Sequence, residues 1–293
     1  MYRQATGVLI VLLASVTVAA QSIQPGTVLG RQIVSGSSLI KTLLADTSFE
    51  IAKGVEETDL YYINSKGQPM HVFILKARPG KKHVRLKIVC ADSVNGNREK
   101  LSDMISRSGH SHQIVAGVNA DFFNMGTGAS LGILYKDGIA LKDTFTGGKE
   151  QQGLTYFGIQ KRRRRLIIGS KGEQRPPLLD AAGGGVYLVK NYQAVPQTVP
   201  AVHPRTAVGI TGQQVVYFVV ADGRQASYSN GMDYQELSML FKALKVKDAI
   251  NLDGGGSSTF IIRHPQSHEL EIRNRPSDGQ ERAISNGWVI TSR

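Results

Sequence analysis

One carboxylate in this sequence is followed by three glycines and two hydroxyls, in the segment Asp253-Gly254-Gly255-Gly256-Ser257-Ser258. Apolar runs at residues 249–252 and 259–262 flank the segment, and each run is typical of a short buried strand. Consecutive glycines forfeit side-chain packing and cost folding entropy, so something must require their backbone freedom. A tight turn needs one or two glycines, whereas an anion that approaches bare N–H groups explains the whole segment. We therefore expect an anion-binding site beside Asp253.

Four further polar clusters lie at the ends of predicted strands, where ligand-binding groups often collect. The clusters are Asn119-Ala120-Asp121-Phe122-Phe123, His203-Pro204-Arg205-Thr206, Ala221-Asp222-Gly223-Arg224 and the segment from Pro276 through Asp278 to Arg282. Taken alone, each has an ordinary explanation as a turn, a cap or a surface ion pair. Together they supply arginines for a phosphate or carboxylate and carboxylates for proton transfer at an anomeric carbon.

The elements that must position these clusters are mostly short strands. Apolar runs predict strands at residues 60–64, 70–77, 84–91, 114–118, 207–210, 215–221 and 288–291. Helical spacing predicts helices at residues 98–107 and 233–244, the second starting with a capping box. A second glycine triplet, Gly183-Gly184-Gly185, lacks an acid at the same spacing and is predicted to be a turn. We expect an α+β (mixed α/β) fold with strand-rich mixed sheets and a few flanking helices.

The N-terminus of this 293-residue chain differs from the rest in composition. Arg3, an apolar run over residues 7–18 and the small residues up to Ala20 predict a signal peptide at residues 1–20. That run is too short for a comfortable membrane span, so we expect an exported mature chain without one, periplasmic or secreted. Residues 21–84 are expected to hold a loosely packed lead-in, up to about residue 57, and the first strands. Residues 85–293 are expected to form one main domain.

Composition and charge make several classes of function and partner unlikely candidates for this chain. Cys90 is the only cysteine, and neither a cysteine cluster nor paired histidines predict zinc. A formal net charge of +12 favours a polyanionic partner, and the run from Lys161 to Arg165 is expected to be a solvated hairpin turn. The export signal argues against nucleic acid and favours anionic glycans. The sequence has no P-loop, dinucleotide fingerprint or Gly-x-Ser-x-Gly elbow.

The ordered set of clusters resembles the phosphodiester glycosidase family. The matching segments are Asn119 with Phe122-Phe123, Gly132, Phe157-Gly158-Ile159, Arg205-Thr206-Ala207-Val208-Gly209, Asp222-Gly223 and the segment from Ala249 to Phe260. An Asp-Gly pair alone would mean little, but the full set in this order is specific. The resemblance covers roughly residues 85–292, so the main domain is expected to be the catalytic domain.

The resemblance implies hydrolysis of the bond between a sugar's anomeric carbon and a phosphodiester, as in GlcNAc-1-phosphodiesters or envelope and exopolysaccharide glycans. Arg205 and Arg282 would then hold the phosphate, with Asp253 as the leading catalytic carboxylate and Asp222 as its partner. The implied substrate-binding residues are Asn119, Asp121, His203, Thr206, Gly223, Gly254, Gly255, Gly256, Ser257, Ser258 and Asp278. Asp121 is not expected to be a catalyst, because an animal member of the family carries glycine at the matching place.

Two alternatives stay open at this point, namely a non-catalytic protein that binds anionic glycans and a transferase that moves a glycosyl or phosphoglycosyl group. No cofactor is expected to be required. Several carboxylates near one site could hold Ca²⁺ or Mg²⁺, but no EF-hand-like spacing supports this. The sequence fixes neither the sugar, nor its anomeric configuration, nor the oligomeric state.

Overall fold

The structure is a computed structural model, and it describes residues 21–79, 83–92, 96–109, 111–147 and 152–292. The expected signal peptide, residues 1–20, lies outside these residues. Within the described part the chain forms three β-sheets and three α-helices, and all strand pairs are antiparallel. The prediction of a strand-rich fold with few helices is confirmed, whereas the prediction of mixed sheets is wrong.

The bounds of the elements follow in chain order. The helices are α1 Val28–Gly36, α2 Leu101–Arg107 and α3 Tyr234–Ala243. The first nine strands are β1 Ile40–Ala52, β2 Val55–Asn64, β3 Pro69–Ala77, β4 Val84–Cys90, β5 Ile114–Asn119, β6 Leu134–Lys136, β7 Ile139–Lys142, β8 Thr155–Gln160 and β9 Leu166–Ser170. The others are β10 Leu178–Gly184, β11 Tyr187–Lys190, β12 Gln193–Ala194, β13 Arg205–Ile210, β14 Val216–Ala221, β15 Asp248–Asn251, β16 Phe260–Arg263, β17 Leu270–Ile272 and β18 Asn286–Ser292.

The largest sheet has eight strands in the order β1-β2-β3-β14-β13-β15-β11-β12. The expectation of a loosely packed lead-in is wrong, because β1 pairs with β2 and the apolar side chains of Leu29, Ile33 and Leu43 are buried against this sheet. Helix α3 connects β14 to β15, but β13 lies between these two strands. The helical crossover therefore creates no parallel neighbours, which is why the sheet is antiparallel throughout.

Helix α3 confirms the prediction made from its capping box. The Asp233 carboxylate accepts a hydrogen bond from the Glu236 backbone N–H at 2.8 Å, and the Glu236 side chain accepts one from the Asp233 N–H at 3.0 Å. Its apolar face, with Leu237, Leu240 and Phe241 fully buried, packs on the large sheet.

Two five-stranded sheets complete the fold, one in the order β7-β6-β10-β8-β9 and the other in the order β17-β16-β5-β18-β4. Aromatic side chains from all three sheets meet in one core, where the Phe157 ring lies 4.7 Å from Trp288 and 5.8 Å from Phe218 between ring centroids. Three sheets thus share one core, and residues at the ends of strands from different sheets come close together.

The second glycine triplet and the basic run test two predictions about turns. The prediction of a turn at the triplet is wrong: Gly183 and Gly184 lie in β10, paired with Tyr156 and Thr155 of β8. The predicted hairpin turn at Lys161–Arg165 is confirmed, because β8 and β9 pair on either side of it. The triplet lacks side chains because other groups pack closely against its backbone.

Strand direction brings three of the predicted polar clusters, those at Arg205, Asp222 and Asp253, to one end of the large sheet. Arg205, at the start of β13, pairs with Ala221 at the end of β14, and Ala207 pairs with Asn251 at the end of β15. The segments that begin at Asp222 and Leu252 therefore leave the sheet beside the segment that enters at Arg205.

Among the described residues, the helices are too short or too polar to cross a membrane.

Candidate active site

Asn119, the last residue of β5, joins three segments of the site. Its amide donates a hydrogen bond to the Asp253 carbonyl at 2.6 Å. Its side-chain oxygen accepts bonds from the Thr206 hydroxyl at 2.7 Å and the Thr259 N–H at 3.1 Å. Because Asn119 is 1% exposed and its amide is engaged by the protein, its geometry suits holding Asp253 in place.

Arginine side chains lie directly over two glycines of the loop after β15. A methyl group on Gly255 would lie 3.1 Å from the nearest Arg224 nitrogen, and one on Gly256 would lie 2.0 Å from an Arg282 nitrogen. Gly255 also has φ +61°, a conformation that favours glycine. The glycines therefore allow guanidinium groups to approach the backbone of the loop, where a short 3-10 turn spans Gly255–Ser257.

The first glycine of the loop faces main chain. A methyl group on Gly254 would lie 2.8 Å from the Pro204 carbonyl oxygen, which accepts a hydrogen bond from the Gly255 N–H at 2.9 Å. A similar close approach occurs at Gly223, where a methyl group would lie 2.7 Å from the Pro204 nitrogen. The predicted binding residues Gly223 and Gly254 thus both pack against the backbone of Pro204, in the segment that carries His203 and Arg205.

Arg282 is held over the loop by a neighbouring acid. It forms an ion pair with Asp278, with nitrogen–oxygen distances of 2.8 and 2.6 Å, and one guanidinium nitrogen lies 3.4 Å from the Ser257 hydroxyl. Both side chains of the pair are partly exposed. Asp278 therefore orients a cation that keeps access to solvent and to a ligand.

Arg205 is more deeply buried than Arg282, at 7% exposed. Its Nε donates to the Met232 carbonyl at 2.9 Å, a second nitrogen donates to the Ala201 carbonyl, and its guanidinium lies 4.1 Å from the Tyr234 ring centroid. Burial lowers the pKa of Arg205 below its usual range. These contacts leave Arg205 a firmly anchored cation beside the loop.

His203 lies between two of the arginines. Its Nδ1 is 3.5 Å from an Arg224 nitrogen. Burial lowers the pKa of His203, and the charges of Arg205 and Arg224 lower it further. The imidazole is therefore neutral at pH 7 and adds no positive charge to the site.

Asp253 is half-buried at the start of the glycine loop. Its side chain accepts a hydrogen bond from the Gly254 N–H at 2.9 Å. Burial raises the pKa of Asp253 to about 6, although the Ser257 hydroxyl, the Gly254 N–H and the Arg282 charge oppose this rise. At pH 7 the carboxylate is mostly ionised yet basic enough to accept a proton.

Asp121 is a second carboxyl that interacts with Asp253. It is 2% exposed, and one oxygen accepts a hydrogen bond from the Gly132 N–H at 2.8 Å. Its other oxygen has no hydrogen-bond partner among the described residues. Burial raises the pKa of Asp121 to about 8 against the effects of the Gly132 N–H and Lys142, and the Asp253 charge adds to the rise. Asp121 is therefore largely neutral at pH 7.

Asp222 lies in a separate hydrogen-bonded cluster. Its two oxygens accept bonds from the Asn274 amide at 3.0 Å and the Arg275 N–H at 2.8 Å. Burial raises its pKa, and hydrogen bonds to the ionised form oppose this effect. Asn274 also donates to the Ser258 carbonyl at 3.0 Å, so the cluster reaches the end of the glycine loop. Asp222 is thus positioned to brace the loop and the residues that follow it.

The cluster also includes residues of β2 and β3, for which no role in the site was predicted. His71 on β3 lies 2.5 Å from the Asp59 carboxylate of β2 through its Nε2, and its Nδ1 contacts the Tyr228 hydroxyl. Tyr228 in turn interacts with Asp222. Burial is the main cause that raises the pKa of Tyr228, and the Asp222 charge raises it further. The N-terminal strands therefore support the segment that carries Arg224.

The structure brings most of the predicted residues together, directly or through a neighbour. Asp253 interacts with Ser257, which contacts Arg282 and through it Asp278, while Arg205 lies beside Gly254 on the segment that also carries His203. Ser258 is 1% exposed, and its hydroxyl has no hydrogen-bond partner among the described residues. The described residues contain no group of three or more His, Cys, Asp or Glu side chains arranged to hold a metal ion.

Two side chains near the loop were not assigned a role from the sequence. Arg224 was recognised only as part of the cluster after β14, yet its left-handed φ of +61° turns the chain where the guanidinium lies over Gly255. Tyr234 was read as the start of a helix, but its ring supports the guanidinium of Arg205. No local pattern marks a residue for contacts with partners that are distant in sequence.

Comparisons with known proteins identify the family of this chain. A phosphodiester glycosidase family model matches residues 112–291. The N-acetylglucosamine-1-phosphodiester alpha-N-acetylglucosaminidase of Mus musculus is 28% identical over 178 residues, with 51% of this chain and 33% of that protein covered. The Homo sapiens protein of the same name is 26% identical over the same length and coverage. This chain thus spans about a third of the length of these curated relatives.

Solved structures share the fold at lower sequence identity. The zebrafish N-acetylglucosamine-1-phosphodiester alpha-N-acetylglucosaminidase catalytic domain, auto-inhibited by its pro-peptide, has a TM-score of 0.62 and 20% identity, covering 94% of this chain and 87% of that chain. A hypothetical protein from Synechocystis has a TM-score of 0.60 and 13% identity, covering 85% of this chain and 64% of that chain. Because the family model matches residues 112–291, more than half of the chain, the chain belongs to the phosphodiester glycosidase family.

Proposed function

We propose that this protein is a hydrolase that cleaves the bond between a sugar's anomeric carbon and a phosphodiester. The observation that carries the proposal is the position of Asp253, a carboxylate with a pKa of about 6, in a glycine loop over which Arg224 and Arg282 lie. The N–H groups of Gly254, Gly255, Ser257 and Ser258 are bonded within the protein, so the expected binding of an anion by bare N–H groups of the loop falls to the arginines. A base and phosphate-binding cations at one place are what this reaction requires. The family membership and the names of the curated relatives support the same chemistry.

The arginines bind the phosphate of the substrate in this proposal. Arg282 and Arg224 lie over the loop, and both have side-chain surface in contact with solvent. The buried guanidinium of Arg205 already donates to two carbonyls, so its role is to add charge and to position the neighbouring segment. The leaving group of the reaction is the phosphate, which departs as an anion. Cations stabilise this anion, so the leaving group does not need to be protonated by an acid.

Asp253 acts as the base that accepts a proton from the attacking water. The water oxygen forms a bond to the anomeric carbon while the bond from that carbon to the phosphate oxygen breaks. The products are a free sugar and a phosphate monoester, and the proton on Asp253 is then released to solvent. The pKa of about 6 supports this role, because a base with a pKa near the working pH transfers protons efficiently.

The second carboxyl adjusts the electrostatics of the site. Asp121, with a pKa of about 8, is neutral at pH 7 and does not repel an anionic substrate. Asp222, predicted to be the catalytic partner, is engaged by Asn274 and Arg275, and we assign it to holding the loop.

The substrate class extends from small GlcNAc-1-phosphodiesters to phosphodiester-containing envelope glycans and exopolysaccharides. The N-terminal segment that is typical of a signal peptide supports export to the periplasm or the medium, where such glycans occur. The net charge of +12 suits an anionic polymer as the natural substrate.

An assay that measures free sugar released from a GlcNAc-1-phosphodiester tests the proposal. The Asp253→Asn variant keeps the shape of the side chain and should lose roughly 10²–10⁴-fold in kcat/KM, the usual contribution of a general base. Asp103→Asn, an exposed carboxyl on α2, is the matched control and should leave the rate unchanged. Equal background rates for wild type and Asp253→Asn would contradict an enzymatic role and favour a glycan-binding protein. A glycosylated product formed with an added sugar acceptor would favour a transferase.

A further inference from the structure

A basic cavity lies at the end of the large sheet opposite the candidate active site. It has a volume of about 440 Å³, and the residues that define it here are Gln160, Arg163, Arg165, Tyr192 and Lys247. Ile210, at the far end of β13 from Arg205, also lines it. Since β13 has six residues, the cavity is roughly 17 Å along the strand from the active site.

The cations around the basic cavity have few acidic partners. Residues 161–165 are all exposed, and none of them forms an ion pair with another described residue. Lys247 lies 4.0 Å from Asp248, but the Asp248 carboxylate also accepts a hydrogen bond from the Asn191 N–H at 2.9 Å. The local charge is therefore strongly positive, and an anionic ligand would neutralise it.

An exposed aromatic ring stands beside these cations. Tyr192 is 49% exposed although its side chain is large and aromatic, and its hydroxyl end lies against Gly212, where a methyl group would be 2.5 Å from the hydroxyl oxygen. Asn191 and Tyr192 both have left-handed backbones, with φ of +48° and +66°. These two residues form the tight hairpin turn between β11 and β12, for which positive φ at both central positions is usual, and the turn presents a ring on which a sugar face can stack.

The basic cavity also contains an unused hydrogen-bond acceptor. The side-chain oxygen of Gln160 is buried and has no hydrogen-bond partner among the described residues. A buried acceptor without a partner is unusual and suits a hydroxyl donor from a ligand. Cations, a sugar-sized aromatic face and a hydroxyl acceptor thus occur together at one place.

We infer that the basic cavity binds a second, distant segment of an anionic glycan chain, one that carries both sugar rings and phosphodiester charges. A nucleic acid fits less well, because single strands are usually bound by several aromatic rings in succession and only Tyr192 provides an exposed ring among the described residues that line the cavity. The identity of the polymer as a substrate rests on the proposed function. Attachment at two places would raise the affinity for long chains and leave small diesters unaffected.

Binding of a polymer of N-acetylglucosamine joined by phosphodiesters, measured by calorimetry with the Asp253→Asn protein so that no chain is cut, tests the inference. In that protein, Arg163→Gln with Arg165→Gln should weaken binding about tenfold, as expected when two solvent-exposed ion pairs with phosphate groups are lost. The matched control, Lys161→Gln with Arg162→Gln, removes the same charge from the same turn but does not line the cavity, and should weaken binding less than about twofold.

Two further probes make the result decisive. A neutral N-acetylglucosamine oligomer should bind weakly to all variants, and single-stranded DNA of equal charge should bind less tightly than the glycan polymer. Equal losses for the two double variants would overturn the inference, because charge alone would then explain binding. Equal affinity for DNA and glycan would also overturn it. Since no turnover is measured, a failure of the proposed hydrolysis would leave these binding results intact and distinguishable.

Discussion

The two glycine triplets of this chain serve different purposes. At the strand triplet, Gly183–Gly185, a methyl group on Gly183 would lie 2.5 Å from the Asp121 carboxyl and 2.6 Å from the Cα of Gly132. At the loop triplet, Gly254–Gly256, a methyl group on the last glycine would meet the ends of the Arg282 and Asp278 side chains at 2.0 and 2.3 Å. One triplet is surrounded by backbone and a buried acid, the other in large part by movable charged side chains.

The surroundings of the two triplets indicate different roles: the strand triplet allows close packing, and the loop triplet allows charged side chains to approach the backbone. In the strand triplet the absence of side chains allows β10 to lie against the segment at Gly132 and allows Asp121 to be buried between them. In the loop triplet it allows cations to lie on the backbone beside Asp253. Substitution of the strand triplet should therefore affect stability most, and substitution of the loop triplet should affect activity most.

The largest effect in this comparison is expected for Gly183→Ala. The added methyl group would overlap backbone at 2.6 Å, which cannot move as a flexible side chain can. The free energy of unfolding should fall by about 1–3 kcal/mol, the usual cost of overpacking, as measured by urea denaturation. Gly109→Ala is the control, since nothing lies within 4 Å of a methyl group there. An unchanged stability would show that β10 is less tightly packed than we describe.

A smaller effect, confined to activity, is expected for Gly256→Ala. The methyl group would displace the ends of the Arg282 and Asp278 side chains while the backbone keeps its conformation. The kcat/KM for a GlcNAc-1-phosphodiester should fall about tenfold, the value of one weakened charged hydrogen bond. The melting temperature should stay close to that of wild type. A loss of stability as large as that of Gly183→Ala would remove the distinction between the triplets.

The pH dependence of activity should distinguish the two carboxyls. Asp253, with its pKa of about 6, must be ionised to act. Activity should therefore increase as the pH rises, with half of its maximum reached at about pH 6. Asp121 with its pKa of about 8 becomes an anion above pH 8, which should repel the substrate and raise KM. The Asp121→Asn variant should keep the acidic limb and lose the alkaline rise in KM. If the acidic limb moved instead, Asp121 and not Asp253 would control it.

Asp121 should also make stability depend on pH, with a definite sign. Its folded-state pKa is raised, so the folded protein binds this proton more tightly than the unfolded chain does. The stabilisation is complete below the unfolded-state pKa and is lost as the pH rises through about 8. The melting temperature of wild type should therefore decrease above pH 8 more than that of Asp121→Asn, as measured by calorimetry.

The smallest effect is expected for Ser257→Ala. The Ser257 hydroxyl lowers the pKa of Asp253 by a hydrogen bond to the ionised carboxylate, so its removal should move the acidic limb of the pH profile to higher pH. The shift should be less than about one pH unit, as one hydrogen bond of about 1 kcal/mol allows. A shift to lower pH would contradict the contact between these side chains.

Much of the fold could be predicted from local sequence patterns. The apolar runs identified most core strands, and the capping box of Asp233 and Glu236 identified the start of α3, because both signals depend on neighbours in sequence. The packing of residues 21–57 and the strand position of Gly183 could not be predicted. Both depend in part on residues distant in sequence, since Ala243 lies beside Gly36 and Asp121 lies beside Gly183, and a local pattern does not contain such partners.

The sequence by itself determined the family and indicated most residues of the candidate site, because carboxylates, arginines and consecutive glycines are rare together at strand ends and occur here in a family-specific order. The tertiary structure decided the burial, the hydrogen-bond partners and the position of each of these residues. It buried Asp222 among hydrogen-bond donors, placed Arg224 over the loop and left one oxygen of Asp121 without a partner among the described residues. The physical reason is that pKa and access to a ligand depend on burial and on through-space neighbours, which only the packing of the three sheets sets.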